Sequence, residues 1–128
     1  MADPVEVVAA VVERNGRFLI TRRLEGTHLA GLWEFPGGKI LPGETREDAL
    51  RRELKEELGV EATVRELIQT VEWTYPDRSV RLFFFRCALA GEPRSLEGQE
   101  MRWVAAAELP SYSFPDADAT LVARLSRR

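Results

Sequence analysis

The stretch that most constrains the fold covers residues 45–59 and reads TREDALRRELKEELG. Its leucines at positions 50, 54 and 58 recur at intervals of about one helical turn, so on a helix they form a single apolar stripe. Thr45 is a suitable N-cap, and Gly59 readily takes the left-handed conformation that ends many helices. The segment therefore predicts an amphipathic helix that packs on a core through one face.

Three glutamates lie beside that stripe. At about 100° per residue, Glu53, Glu56 and Glu57 share one helix face. One interpretation is a solvent-directed acidic face on which Arg52 pairs with Glu56, since like-charge pairs at this spacing cost only about 0.2–0.5 kcal/mol each. The other interpretation is a set of converging carboxylates, which is the oxygen-rich donor set that Mg²⁺ takes in proteins. The helix alone leaves both interpretations open.

Strands are predicted on both sides of this helix. Residues 5–13 form a valine-rich apolar run typical of a buried strand, and Asn15-Gly16 is a tight-turn dipeptide. Further strands are predicted at residues 18–22, 33–35, 64–75, 79–90 and 101–105, with a helical turn at 106–109 and a second helix after Pro115. Helices mixed with hairpin-linked strands indicate an α/β fold with a mixed sheet.

Composition narrows the range of partners. The chain has 128 residues, a net charge of −3 at pH 7 and one cysteine, Cys87. The length suits a single domain spanning residues 1–128, and a lone cysteine fits a reducing compartment such as the cytoplasm. The amino-terminal segment carries Glu6 and lacks the basic region of a signal peptide or the length of a membrane span. We expect neither long nucleic acid nor a membrane as a partner, but a small anionic ligand fits.

Glycines and prolines interrupt residues 24–43, which predicts a long loop with a short strand near Trp33. The apolar residues of this loop argue against disorder. Just before the helix, Gly37 and Gly38 allow the backbone to approach a ligand closely, and Lys39 adds a positive point charge. These features suit a phosphate group, so they favour the metal-binding interpretation of the three glutamates.

Gly38, Glu44 and the segment RELKEELGV at residues 52–60 stand at the spacing of a known motif. The chain resembles the Nudix hydrolases at every specified position of that motif. The resemblance implies an α/β/α sandwich around a mixed sheet. It also implies hydrolysis of a nucleoside diphosphate linked to another group, with Mg²⁺ as the cofactor and Mn²⁺ as a substitute.

The resemblance also implies roles for particular residues. The metal ligands would be Glu53, Glu56, Glu57 and the carbonyl oxygen of Gly37. Arg52 would orient a catalytic glutamate, and Glu44 would be either a partner of Arg52 or a ligand through water. Glu97 would be a further metal ligand or the general base, and the sequence does not decide between Glu53 and Glu97 as that base.

Similarity extends beyond the motif through ITRR, LWEFPGGKI, YPDR, EGQ and FPDAD. These segments resemble the MutT-type branch of the family, which converts nucleoside triphosphates to monophosphates and pyrophosphate. The substrate-binding residues that this resemblance implies are Arg23, Phe35, Gly38, Lys39, Arg78 and Asp118. Asp118 departs from the asparagine of the oxidised-guanine-specific enzymes, and a plainer role for it is to cap the second helix.

Three hypotheses about function follow. The first is a pyrophosphohydrolase for oxidised purine triphosphates such as 8-oxo-dGTP. The second is a pyrophosphatase for CTP, dCTP or a modified pyrimidine triphosphate. The third is a non-catalytic nucleotide-binding module, against which the complete set of motif residues argues. We expect the protein to be a monomer.

Overall fold

A computed structural model of the protein describes residues 3–127, so the first two residues and the last one of the predicted domain lie outside the described part. In chain order the elements are β1 (Val5–Arg14), β2 (Arg17–Arg22), β3 (Trp33–Glu34), β4 (Gly37–Lys39), α1 (Arg46–Leu58), β5 (Glu61–Thr74), β6 (Ser79–Ala90), β7 (Met101–Ala105) and α2 (Ala119–Ser126). Two short 3₁₀ segments, Ala106–Ser111 and Asp116–Asp118, precede α2.

The strands form one mixed seven-stranded sheet, as the sequence predicts. Its main order is β3-β2-β1-β6-β5, while β4 pairs with β1 and β7 pairs with β2. The central strands β1 and β6 run parallel, and the other pairs are antiparallel. A strand directs successive side chains to opposite faces, so alternate residues of β1 enter two different cores.

The two cores lie on opposite faces of the sheet. Val8, Ala10 and Val12 of β1 pack with α1, whereas Ala9 and Val11 pack with α2. This is the α/β/α sandwich that the sequence predicts. Among the described residues no helix is both long and apolar enough to cross a membrane.

Helix α1 has the boundaries that its sequence predicts. The Thr45 hydroxyl accepts a hydrogen bond of 3.0 Å from the Asp48 amide, and Gly59 ends the helix in the left-handed region with φ 65°. Leu50, Leu54 and Leu58 are fully buried. Burial of each such side chain stabilises the fold by about 1.5–3 kcal/mol, so the leucine stripe fixes which face of α1 turns away from the core.

The loop predicted at residues 24–43 is more ordered than its composition suggests. It holds β3 and a second short strand, β4, whose residues Gly37–Lys39 pair with Val7–Ala9 of β1. A Cβ at Gly37 would lie 1.9 Å from the backbone oxygen of Val8, so only glycine fits there. The sequence prediction missed β4 because glycine has a low strand propensity, and the pairing depends on a strand far away in the chain.

Candidate active site

The acidic side of α1 lies against β4. A Cβ built on Gly38 would be 2.4 Å from the carboxyl carbon of Glu53, so the missing side chain of this glycine makes room for that carboxylate. The Glu53 side chain is only 16% exposed. Of the two interpretations of the acidic face, the solvent-directed one does not hold for Glu53, because β4 covers this part of the helix.

Arg52 connects the carboxylates of Glu44 and Glu53. Its guanidinium donates to both carboxylate oxygens of Glu44 at 2.7 and 2.9 Å, to Glu53 Oε1 at 2.9 Å and to the Lys39 carbonyl at 3.0 Å. The hydrogen bonds from Arg52 lower the pKa of Glu44 to about 2. Of the two predicted roles for Glu44, the structure shows the contact with Arg52, and this pair fixes the guanidinium that holds Glu53.

Glu56 turns away from the other two helix glutamates. Its side chain is 55% exposed and its only resolved ion pair among residues 3–127 is with Arg52, at 3.3 Å. This is the i, i+4 pair of the plainer interpretation of the acidic face. The structure therefore divides the three glutamates, with Glu53 and Glu57 directed inward and Glu56 at the rim.

Several carboxylates line a cleft between α1, β4 and residues 91–100, which we call the acidic cleft. Its acidic lining residues are Glu34, Glu53, Glu57 and Glu97, and Gly37 and Gly38 form its wall on β4. Burial, and then the charges of Glu34, Glu53 and Glu97, raise the pKa of Glu57 to about 9. Burial also raises the pKa of Glu53, although Arg52 opposes this shift.

The donor set of the acidic cleft fits a divalent cation. Carboxylate oxygens with a backbone carbonyl, as at Gly37, are the ligands that Mg²⁺ and Mn²⁺ take, and an ion between them would relieve the repulsion that raises the pKa of Glu57. Within residues 3–127, no three acidic, histidine or cysteine side chains lie close enough together to hold an ion. Coordination of a shared ion by these carboxylates therefore requires them to approach one another.

A second cleft, of about 160 Å³, adjoins the first and has mostly apolar walls. We call it the apolar cleft. Phe35 lines it and stacks on Phe114 with ring centroids 5.4 Å apart. Of the predicted substrate-binding residues, the lining includes Arg23, Phe35, Gly38, Lys39, Arg78 and Asp118. The structure thus brings together six residues from four separate parts of the sequence.

Asp118 lies at the inner end of the apolar cleft and is only 4% exposed. Burial, with a contribution from Glu34, raises its pKa to about 7, while Arg23 acts in the opposite direction. Asp118 precedes α2, but its side chain makes no capping hydrogen bond within the described chain. The helix-capping role considered for Asp118 is therefore wrong, and the side chain faces the cleft instead.

Glu34 is the site residue that the sequence analysis missed. It lines both clefts, and its carboxylate accepts a hydrogen bond of 2.7 Å from Arg23. Burial raises the pKa of Glu34 in spite of that partner. A signal existed in the sequence, because a charged residue between Trp33 and Phe35 interrupts an aromatic strand, and such a residue is rarely buried without a partner.

His28 lines the apolar cleft. Its Nδ1 lies 3.0 Å from a carboxylate oxygen of Asp77, and its ring meets Tyr75 edge-on at 5.3 Å. The backbone carbonyl of His28 accepts a hydrogen bond from Arg23 Nε. These contacts join the loop after β2 to the β5–β6 turn across the cleft.

The fold, a mixed sheet with few helices, matches that of solved MutT structures of the Nudix hydrolases. The chain belongs to this family: the NUDIX domain matches residues 7–124. Nudix hydrolases generally need a divalent metal, in keeping with the donor set of the acidic cleft.

Individual relatives are similar over nearly the whole chain. An 8-oxo-dGTP diphosphatase of Haemophilus influenzae is 42% identical over 123 residues, which cover 94% of this chain and 90% of the relative. CTP pyrophosphohydrolase of Escherichia coli is 39% identical over 119 residues, or 92% and 88% of the two chains. A solved MutT structure, from a study of the proteins of Aliivibrio salmonicida and Vibrio cholerae, has a TM-score of 0.81 at 32% identity and 97% coverage of each chain.

Proposed function

We propose that the protein hydrolyses nucleoside triphosphates to the monophosphate and pyrophosphate. One observation carries this proposal: the apolar cleft and the acidic cleft adjoin each other and share Arg23, Glu34, Gly37 and Gly38 as lining residues. An apolar cleft with a few convergent polar groups suits a nucleobase, and the acidic cleft suits cations that bind a polyphosphate. A nucleotide is the class of ligand that would use both clefts, with its base in the apolar cleft and its phosphates in the acidic cleft beside α1.

The preferred substrate that we propose is an oxidised purine triphosphate such as 8-oxo-dGTP. The similarity to the Haemophilus influenzae diphosphatase supports this choice. CTP or dCTP is the second candidate, because a relative named CTP pyrophosphohydrolase is similar over a comparable share of the chain. Asp118 at the inner end of the apolar cleft is compatible with both, since a carboxyl group accepts from a base amino group and, when protonated, also donates.

The roles of the site residues follow from their positions. Glu53, Glu56, Glu57, Glu97 and the Gly37 carbonyl would hold the cation, for which we propose Mg²⁺. A bound divalent cation supplies neutralisation of the phosphate charge and acidifies water. Arg52 holds the Glu53 carboxylate in one orientation, and either Glu53 or Glu97 accepts the proton of the attacking water. Lys39, beside the glycines of β4, pairs with the phosphate chain.

The reaction consumes one water molecule for each triphosphate. The water oxygen forms a bond to the β-phosphorus, and the bond from that phosphorus to the oxygen bridging the α- and β-phosphates breaks. The nucleoside monophosphate leaves with the bridging oxygen, and the water's proton passes to a carboxylate. The remaining product is pyrophosphate.

A substrate panel tests this proposal. It contains 8-oxo-dGTP, dGTP, dCTP, CTP, the remaining canonical triphosphates and ADP-ribose, each with Mg²⁺, and detects pyrophosphate and monophosphate separately. We expect pyrophosphate release, fastest with 8-oxo-dGTP or with a cytidine nucleotide. Binding without any product would identify the protein as the non-catalytic module instead. Release of inorganic phosphate alone would contradict attack at the β-phosphorus.

Substitution of Gly38 by alanine should slow turnover by displacing Glu53. The new Cβ would meet the Glu53 carboxylate, which can shift because it ends a flexible side chain. We expect kcat to fall about tenfold, less than the hundredfold that an error of about 1 Å can cause, and the melting temperature to change little. Leu41→Ala is the control in the same loop, since Leu41 is 48% exposed and lines neither of the two clefts. An unchanged kcat in Gly38→Ala would separate Glu53 from the reaction.

Mg²⁺ should raise the melting temperature of the protein, because an ion that binds only the folded chain stabilises it by about 2.7 kcal/mol at a hundred times its Kd. Changing Glu56 and Glu57 together to glutamine should abolish this gain. The control changes the exposed Glu61 and Glu108 to glutamine and should keep it. Thermal unfolding across millimolar Mg²⁺ measures the effect, and a gain that persists in the Glu56/Glu57 variant would place the ion elsewhere.

The organisation of the protein is also part of the proposal. We propose that residues 1–128 act as one domain, as a monomer in the cytoplasm, without a long nucleic acid or a membrane as partner. The net charge of −3 supports the absence of a nucleic-acid partner. Sedimentation of the purified protein checks the monomer, and a single peak at twice the chain mass would contradict it.

A further inference from the structure

Gln99 is a buried amide at the edge of the acidic cleft. It is 7% exposed and, in the part of the chain that the structure describes, is one of only three buried residues with a polar or charged side chain, together with Thr21 and Asp118. A buried amide requires hydrogen-bond partners, because an unsatisfied polar group inside a protein is destabilising. The partners of Gln99 show what this residue holds in place.

The Gln99 side chain joins two parts of the acidic cleft. Its oxygen accepts from the backbone amide of Glu97 at 3.0 Å and from the hydroxyl of Ser95 at 2.8 Å. Its nitrogen donates to the backbone carbonyl of Glu57 at 3.2 Å. One amide group therefore links the backbone of Glu97 to the last turn of α1, which carries Glu57.

Other contacts already attach this loop to α1. The amide of Arg94 donates to the Leu58 carbonyl at 2.9 Å, and the amide of Leu96 donates to the Glu57 carbonyl at 3.0 Å. These backbone bonds hold residues 94–96 without any help from a side chain. Beyond Leu96, the described hydrogen bond to the Glu97 amide comes from Gln99, and the next residue, Gly98, has φ 79°. Gln99 therefore adds the hydrogen bond that reaches Glu97, beyond the backbone bonds at residues 94–96.

The position of Glu97 matters because it lines the acidic cleft together with Glu34, Glu53 and Glu57. The interaction between such carboxylates, or between them and a shared cation, depends steeply on the separation of the charges when they are partly buried. A shift of the Glu97 backbone would therefore change how the cleft holds a cation.

We propose that Gln99 is a positioning residue that fixes the Glu97 carboxylate relative to the carboxylates of α1, and that it acts on the reaction only through Glu97. The proposal rests on the function proposed above. This task requires one side chain that accepts a hydrogen bond from the Glu97 amide and donates one to the Glu57 carbonyl. Glutamine has both on one side chain.

The test is a double-mutant cycle between Gln99 and Glu97. Gln99→Met keeps the length of the side chain and removes both hydrogen-bonding functions. We expect it to lower kcat about tenfold, because the free energy of one ordinary hydrogen bond corresponds to about that factor in rate. The KM for the nucleotide should stay within about twofold of the wild type. In a Glu97→Gln background the same change should have no further effect, because the carboxylate that Gln99 positions is then absent.

Multiplicative effects of the two substitutions would overturn the proposal, since they would show that Gln99 acts independently of Glu97. Leu96→Ala is the matched control: Leu96 precedes Glu97, its side chain is 50% exposed, and its backbone bond to Glu57 does not need the side chain. It should leave kcat and KM unchanged. If Gln99→Met does not fold, Gln99→Asn replaces it, because that amide is one methylene too short to reach both partners.

A measurement without substrate separates this inference from the proposed function. Amide hydrogen exchange at Glu97, followed by NMR, should be at least about tenfold faster in Gln99→Met than in the wild type, since the loss of an ordinary hydrogen bond converts to that factor. It should be unchanged in Leu96→Ala. Unchanged exchange in Gln99→Met overturns the positioning role whatever the substrate panel shows. Faster exchange with no nucleotide hydrolysis by the wild type would overturn the proposed function alone.

Discussion

Replacement of Glu53 by glutamine should reduce kcat by at least about a hundredfold, the lower end of the effect of a general base, while the fold is retained. Glutamine has nearly the same shape and still offers an oxygen to the Arg52 guanidinium, which lies 2.9 Å from Glu53. It removes the negative charge that a cation ligand or a base requires. Because burial raises the pKa of Glu53, loss of this charge should not lower the melting temperature.

Steady-state hydrolysis of the best substrate of the panel, at saturating Mg²⁺, measures the effect of Glu53→Gln. Glu47→Gln is the matched control, since Glu47 is an exposed residue in the first turn of the same helix and lines neither of the two clefts. The control should turn over within about twofold of the wild type, as surface substitutions away from a site do. Near wild-type kcat in Glu53→Gln would exclude Glu53 from the chemistry and leave Glu97 as the candidate base.

Much of this site was predictable because its central element is encoded locally. The period of the leucines, the Thr45 cap and the Gly59 terminator all act within α1, and they decide which residues share a face. The motif beginning at Gly38 then gives the family resemblance that predicts the α/β/α sandwich. The fold could therefore be predicted from short stretches of sequence.

The burial of the site was not predictable in the same way. Whether Glu53 meets solvent depends on β4, and β4 forms only by pairing with β1, about thirty residues earlier in the chain. The functions of Glu34 and Gln99 likewise depend on contacts with residues distant in the sequence. Glu34 pairs with Arg23, and Gln99 bonds to the last turn of α1. Periodicity in a sequence shows which residues face a core, but it does not identify the neighbour that covers a polar one.

Trp73 illustrates the same limit. An aromatic residue on a strand is expected in the core or at its rim, and the sequence does not decide between the two; Trp73 is 41% exposed. It lies on β5, which ends the main strand order of the sheet. Exposure of single large apolar residues is ordinary on protein surfaces, so sequence alone gives no reason to separate Trp73 from the buried aromatic residues.

Asp118→Asn should make the stability of the protein less dependent on pH. Burial raises the pKa of Asp118 from 3.8 to about 7, so between these values the folded state holds a proton that the unfolded chain releases. The stability due to this proton is fully present below about pH 4 and is lost as the pH rises through 7. Asparagine carries no such charge, and the variant should therefore be more stable than the wild type at pH 8, by an amount on the order of 2–4 kcal/mol.

Denaturant unfolding at pH 5 and pH 8, without metal, measures this difference. The control is Asp116→Asn, because Asp116 is an exposed neighbour on the same segment and should show no comparable gain. Equal stability changes at the two pH values in Asp118→Asn would contradict the buried, partly protonated carboxyl group.

The same substitution should change which base the enzyme prefers. Above about pH 7, where Asp118 is mostly ionised, its carboxylate only accepts hydrogen bonds, whereas the amide of asparagine both accepts and donates. Unmodified guanine presents only acceptors at O6 and N7, so the wild type should use dGTP poorly and the asparagine variant should use it better. We expect the ratios of kcat/KM among 8-oxo-dGTP, dGTP and dCTP to shift by roughly 1–3 kcal/mol, the discrimination of a good base-edge contact. Asp118→Ala removes both functions, so it should lower kcat/KM for the preferred substrate without raising kcat/KM for dGTP. Ratios that stay fixed in both variants would show that the base is read elsewhere in the cleft, with Arg23, Phe35 and Arg78 as the residues to change next.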